Sequence, residues 1–306
     1  GARAVERFLR EARAAARLKG EHIVKVVDVG RLGEGGTPYM VMEYLRGTDL
    51  KHLLRERGPL PIDEIRDWMM QACEAMAEAH QHNIVHRDLK PANLFLTRRP
   101  NGTPCIKVLD FGVSKHLSPH AQNITKSGEI IGSPLYMSPE QIVRVKETDA
   151  RSDIWALGVI LYELAAGVSP FRAPSFTEVV GAVLQNEPLP LHQVRPDIPQ
   201  WYEAIVMRCL QKRPEQRFQT IGELSAALKA KGGQEGAADR ASAQSLEIKS
   251  IDTIPPPSAA SSSSPSRSIS TDSAWGGTRP DRRISANSKL ILSAVLAGIV
   301  AAAIYT

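Results

Sequence analysis

The strongest constraint on what this chain can fold into lies between residues 86 and 112. His86-Arg87-Asp88-Leu89-Lys90-Pro91-Ala92-Asn93 sets a carboxylate, an ammonium and a carboxamide close together in sequence. Leu94-Phe95-Leu96 then reads as a short strand, Asn101-Gly102 as a turn pair, and Ile106-Lys107-Val108-Leu109 as a second strand. A hairpin there returns the chain to its start, so Asp110 of Asp110-Phe111-Gly112 is expected beside Asn93. Two carboxylates, an amide oxygen and a lysine would then gather at the open end of the hairpin. Hard oxygen ligands of that kind suit Mg2+ carrying a polyphosphate. An isolated Asp-x-Lys would be solvated surface charge; it is the ordered continuation that argues for chemistry.

The segments around this stretch read mostly as helices. Ala4, Phe8, Glu11, Ala15 and Leu18 recur at steps of three or four, with Gly20 as the expected stop. Residues Ile23 to Val29 and Tyr39 to Glu43 read as strands around the Gly-rich turn Gly33-Glu34-Gly35-Gly36, and Asp49 to Arg57 as a short helix ended by Gly58-Pro59. From Ile62 to Gln81 the stripe Ile65, Met69, Ala72, Cys73, Met76 and Ala79 has helical spacing, the pattern of core packing rather than of a cofactor box. Ser152-Asp153 is expected to cap a helix from Ile154 to Ala166, closed by Gly167. That helix is apolar nearly all round but carries Glu163 and is too short to span lipid, so it reads as buried. Trp201 to Leu210 and Thr220 to Lys229 read as two further helices.

Bulk properties narrow the function classes. A chain of 306 residues, 42% apolar, can bury a real core. Its net charge of +5 is mild and its basic residues lack aromatic interleaving, which argues against a nucleic-acid partner. Cys73, Cys105 and Cys209 are odd in number and far apart, so neither zinc nor a disulfide framework is indicated.

Composition shifts after Lys231-Gly232-Gly233. Residues 232–288, rich in Ser, Ala, Pro and Gly, are expected to be a disordered linker. Residues 290–305 form an uncharged apolar run preceded by Arg279, Arg282, Arg283 and Lys289. This predicts a single transmembrane helix with its N-terminal side in the cytoplasm.

His86 to Asn93, Asp110-Phe111-Gly112 and Ser138-Pro139-Glu140 together resemble the catalytic core of eukaryotic-type Ser/Thr protein kinases, in the style of the bacterial membrane-bound branch, over roughly residues 1 to 230. The resemblance implies an α+β, bilobal protein-kinase-like fold. Its parts would be a partial N-lobe at 1–45 and a helical C-lobe at 46–231, followed by the linker and the membrane helix. It implies ATP and Mg2+ as cofactors and protein hydroxyls as substrates. Asp88 would accept or orient the proton of the substrate hydroxyl, Lys90 would neutralise the transferring phosphoryl, and Asn93 and Asp110 would hold Mg2+. The carbonyl of Glu43 and the amide of Leu45 would hold adenine, with Met42 bounding the pocket. Glu11 matches the helix glutamate that pairs with an ATP-binding lysine. His86 would be structural, Asp153 would brace the catalytic loop, and Glu140 would ion-pair with Arg217.

The same resemblance makes residues 111–139 an activation segment. Phosphate on Thr125 or Ser127 would pair with Arg87, while Ser133 would lie near Asp88 and, with Lys90, argue for Ser/Thr over Tyr specificity. The chain departs from the family pattern at its start, where neither a glycine-rich loop nor the strand lysine precedes Glu11. The expectation is an N-terminally truncated kinase of the bacterial inner membrane, able to pair with a second copy for autophosphorylation, and weakly active or inactive in this form. The rival readings are a catalytically dead pseudokinase scaffold at the membrane and a small-molecule phosphotransferase.

Overall fold

The computed structural model describes residues 2–33, 36–111, 134–143 and 148–230. Thr125, Ser127, Ser133, the 232–288 linker and the 290–305 run lie outside the described residues. Among those described, no helix is long and apolar enough to cross a membrane.

The chain opens with helix α1 (Ala2–Ala15). Its buried residues Phe8, Leu9 and Ala12 pack with Val5, Val29 and Met40 in a small cluster of their own. The helix stops at Ala15, before the glycine expected to end it, because residues 16–18 tighten into turns: the N–H groups of Arg17 and Leu18 donate to the carbonyls of Ala14 and Ala15. Strands β1 (Val26–Arg31) and β2 (Pro38–Met42) form an antiparallel hairpin with a bulge near Val26. The strand expected from Ile23 divides here. Ile23 bridges in parallel to Val108, and the Val24 and Val108 N–H groups bond the carbonyls of Val108 and His22. The buried His22 ring, with Nδ1 2.9 Å from the Ile106 carbonyl, ties residues 22–24 to that neighbouring sheet instead.

That sheet has the order β3-β4-β5, with β3 at Thr48–Asp49, β4 at Leu94–Arg98 and β5 at Pro104–Val108. Helix α2 (Leu50–Arg57) starts on Asp49, whose carboxylate accepts the His52 N–H at 2.9 Å. Helix α3 (Ile62–Gln81) buries the whole predicted stripe together with Trp68 and Ala75. Each large apolar side chain so placed contributes roughly 1.5–3 kcal/mol over exposure. Short helices α4 (Pro139–Val143) and α7 (Leu191–Val194), and the longer α6 (Phe176–Gln185) and α8 (Gln200–Cys209), complete this part of the chain with α5 (Arg151–Ala166), which packs against α3, α7 and α8. A last helix covers residues 221–230.

Helix α5 is the centre of the main core. Every residue from Ser152 to Tyr162 is buried, and Trp155 stacks on Phe171 with ring centroids 5.3 Å apart. The helix approaches α8 so closely that a Cβ on Gly158 would sit 2.5 Å from the Cβ of Cys209. Its N-terminus differs from expectation. Asp149, not Ser152, satisfies the first turn, its carboxylate accepting the Arg151 N–H at 2.8 Å. Ser152 donates to the Asp149 carbonyl, leaving Asp153 to point inward. At the other end Gly167 adopts the left-handed conformation, φ 78°, and its N–H caps the Glu163 carbonyl. All three cysteines are buried thiols, and burial pushes the pKa of Cys73 up to about 12.

Candidate active site

Helix α3 delivers the chain into a loop whose residue Arg87 has φ 63°. A bulky residue in the left-handed region is uncommon and persists only where its surroundings hold it. What holds it is Asp153. This carboxylate, 1% exposed, accepts the His86 N–H and the Arg87 N–H, each at 2.9 Å. His80 Nε2 lies 2.8 Å from the same carboxylate, so that nitrogen carries a proton. The position-153 brace expected from sequence is present, with His80 as a third partner that the sequence did not suggest.

His86 is fully buried. Its Nε2 donates to the Leu109 carbonyl at 2.8 Å, and its Nδ1 accepts the Asp88 N–H at 3.3 Å, which fixes a neutral ring. Burial pushes the imidazole pKa down, against the upward pull of Asp153 and the Leu109 carbonyl. The ring also lies 5.0 Å from Phe111, tilted by 45°. The histidine thus links the loop to the end of β5.

Asp88 and Lys90 form the charged pair of the site. Lys90 Nζ donates to Asp88 Oδ2 at 2.7 Å, with the carboxylate 9% and the ammonium 26% exposed. Asn93 closes the loop on itself: its side-chain N–H donates to the Asp88 carbonyl at 2.9 Å. Its own carbonyl accepts the Leu109 N–H, also at 2.9 Å, so the hairpin does return the chain to Asn93. The next residue, Asp110, has φ 52°, a second non-glycine residue held in the left-handed region. His86, Arg87, Asp88, Lys90, Asn93, Asp110 and Asp153 therefore share one end of the β4–β5 hairpin.

Other predicted residues sit apart. Glu140 on α4 receives both terminal nitrogens of Arg217, at 2.7 and 2.8 Å. Arg217 is 1% exposed and also donates to the carbonyls of Gln211, Arg151 and Lys212. Gln141, missed in the sequence, donates to the Arg87 carbonyl at 3.1 Å and accepts the Ser138 N–H, tying α4 to the loop. Glu11 on α1 accepts from Arg7 one turn earlier, at 3.1 Å.

Met42 is 38% exposed at the end of β2, and Leu45 is half-buried. The Glu43 carboxylate accepts Lys107 Nζ and the Lys25 N–H, each at 2.9 Å. Burial opposes its ionisation, but these bonds prevail and hold its pKa below the usual value. Elsewhere, Tyr136 donates to Glu163 at 2.6 Å, which accounts for a carboxylate inside an apolar helix; burial raises the pKa of Glu163.

For a metal, Asn93 and Asp110 offer an amide oxygen and a carboxylate. Among the described residues no cluster of three or more His, Cys, Asp or Glu side chains could hold an ion. Two hard oxygen donors fit a Mg2+ completed by phosphate and water better than an all-protein cage.

Among the described residues no group of the site is arranged for covalent chemistry; the arrangement positions and balances charge, as phosphoryl transfer requires. The chain belongs to the protein kinase domain family, which matches residues 2–228. It is 37% identical over 220 residues to a probable serine/threonine-protein kinase of Clostridium acetobutylicum, covering 72% of this chain and 32% of that protein. It is likewise 37% identical to the serine/threonine-protein kinase PknB of Mycolicibacterium smegmatis, over 72% of this chain and 35% of that one. The chain thus spans about a third of the length of the curated relatives it matches. Among solved structures, the PknI kinase domain of Mycobacterium tuberculosis is similar, with TM-score 0.57 and 29% identity, covering 74% of this chain and 78% of that domain.

Proposed function

We propose that the whole protein carrying this chain is a serine/threonine protein kinase that transfers the γ-phosphoryl of ATP to protein hydroxyls. The observation that carries this reading is the Asp88–Lys90 pair at 2.7 Å, on a loop whose backbone is fixed by Asp153. Asp88 orients the substrate hydroxyl and accepts its proton. Lys90, beside it, balances the charge on the transferring group. Asn93 and Asp110 would hold Mg2+, which when bound supplies charge neutralisation at the phosphates. Asn93 is set in place by its bond to the Asp88 carbonyl, so ligand and base keep a fixed spacing. The Glu43 carbonyl and Leu45 amide hold adenine. The names of the curated relatives support the serine/threonine class.

The finer parts of the proposal rest on sequence. Residues 290–305 anchor the protein in the bacterial inner membrane with the kinase domain on the cytoplasmic side, and phosphate on Thr125 or Ser127 pairs with Arg87 to raise activity.

The test is transfer of label from γ-labelled ATP to casein by the whole protein with Mg2+, before and after Asp88→Asn. Transfer to Ser or Thr that falls at least 1000-fold in the variant, with an unchanged melting temperature, supports the reading. Absence of transfer from the unmodified protein, or undiminished transfer in the variant, would overturn it in favour of a scaffold.

A further inference from the structure

A cavity of about 670 Å³ lies between α1 and the end of β1, on elements that carry none of the Asp88 loop. Four arginines line it: Arg10 and Arg13 from α1, Arg17 from the turn that follows the helix, and Arg31 from β1. The spacing of three residues puts Arg10 and Arg13 on one face of the helix, and Arg17 follows in the turn beyond its end. All four are exposed. Among the described residues none of their side chains has a hydrogen-bond or ion-pair partner, whereas the Arg7 side chain, on α1, is paired with Glu11. Among the described residues Glu6 is the one acidic residue that reaches the rim, and Leu9 supplies an apolar wall.

Like charges gathered in this way repel along the helix and across to the strand. An anion that bridges them would remove that repulsion and tie α1 to β1. We infer that this cavity is a docking site for a phosphorylated segment of a partner protein, one carrying adjacent phosphoserines.

Three features select that ligand over other polyanions. Every cation is an arginine, whose planar fork matches the terminal oxygens of a phosphate monoester two bonds at a time. The site is a concavity with an apolar wall, which accommodates a peptide stem better than it accommodates a flat bilayer surface. No aromatic side chain lines it, so the stacking platform that single-stranded nucleic acid uses is absent from the described residues.

The binding site needs no catalysis by this chain, so it is tested separately from the kinase reading. The probe is a fluorescent twelve-residue peptide with two adjacent phosphoserines, titrated by anisotropy against the 306-residue chain without ATP, beside its unphosphorylated twin. The phosphorylated peptide is expected to bind at least 10-fold more tightly than the twin. Arg10→Gln with Arg13→Gln should weaken it at least 10-fold, and Arg31→Gln alone several-fold from the other wall. Asp88→Asn should leave it unchanged. Circular dichroism melts of the arginine variants control for folding, and the Arg31→Gln variant tests the site independently of α1. Equal binding of the two peptides, or indifference to the arginine substitutions, would overturn the inference. So would tighter, arginine-dependent binding to phosphatidylserine vesicles or to a single-stranded oligonucleotide.

Discussion

The carboxylate of Asp153, in the first turn of the buried helix α5, accepts the backbone N–H of Arg87 at 2.9 Å and so fixes a loop more than sixty residues away in sequence. Replacing it by asparagine would turn one acceptor oxygen into a donor facing an N–H. The loss of charge-assisted bonds to two buried amides is expected to cost about 2–4 kcal/mol. Chemical denaturation measures this, and activity of the whole protein should fall further than the stability loss alone accounts for.

Arg217 and Glu140 form a buried pair whose members are each costly to strand. Glu140→Ala is expected to destabilise by roughly 3–5 kcal/mol, because the guanidinium stays inside without its counter-charge. The double variant Glu140→Leu with Arg217→Met should recover part of that loss. A double-mutant cycle in urea reads the coupling, and additive costs would show that the pair is not coupled.

His86 gives the fold a pH dependence whose sign is fixed. Its folded pKa is pushed below the ordinary 6.5 by burial, so the unfolded chain takes up the proton first. The stability contributed by the neutral ring is complete above about 6.5 and is lost as pH falls below it. His86→Phe should cost about 2 kcal/mol at pH 8, where two hydrogen bonds disappear. The gap between the two proteins should narrow as pH drops from 6.5 towards 5. Melting curves across that range decide the matter, and a constant gap would contradict a neutral ring.

The approach of α5 to α8 leaves no room at residue 158. Gly158→Ala is expected to destabilise by about 1–3 kcal/mol through overpacking against Cys209. Thermal melts of this variant beside Gly181→Ala, where an added Cβ meets open space on α6, separate the steric cost from a general glycine effect.

Much of the site was legible because its residues are near one another in sequence. The run from His86 to Asp110 specifies its own hairpin through alternating apolar residues and a turn, and the bond between Leu109 and Asn93 confirms the predicted return. The α3 stripe was legible through its period. What escaped were partners brought in from afar. His80 looks like one more polar residue of α3, and its contact with Asp153 spans 73 positions. Gln141 and the Lys107–Glu43 pair carry no local pattern either. Strand limits near residue 23 were misjudged because a β-branched run does not say which sheet will take it; the buried His22 ring decided that. The bond from the Arg151 N–H to Asp149, just ahead of the helix, was missed because Ser152-Asp153 is an equally good capping sequence.

The small group of side chains joining α1 to the β1–β2 hairpin stands apart from the large one around α5. So few apolar neighbours make this cluster, among the described residues, cheaper to open than the one around α5. Its amide protons should be replaced by deuterium early, while those of α5 wait for the whole chain to come undone. A ligand gripping the outer face of α1 would be read out there first, as slowed exchange in a region otherwise quick to breathe.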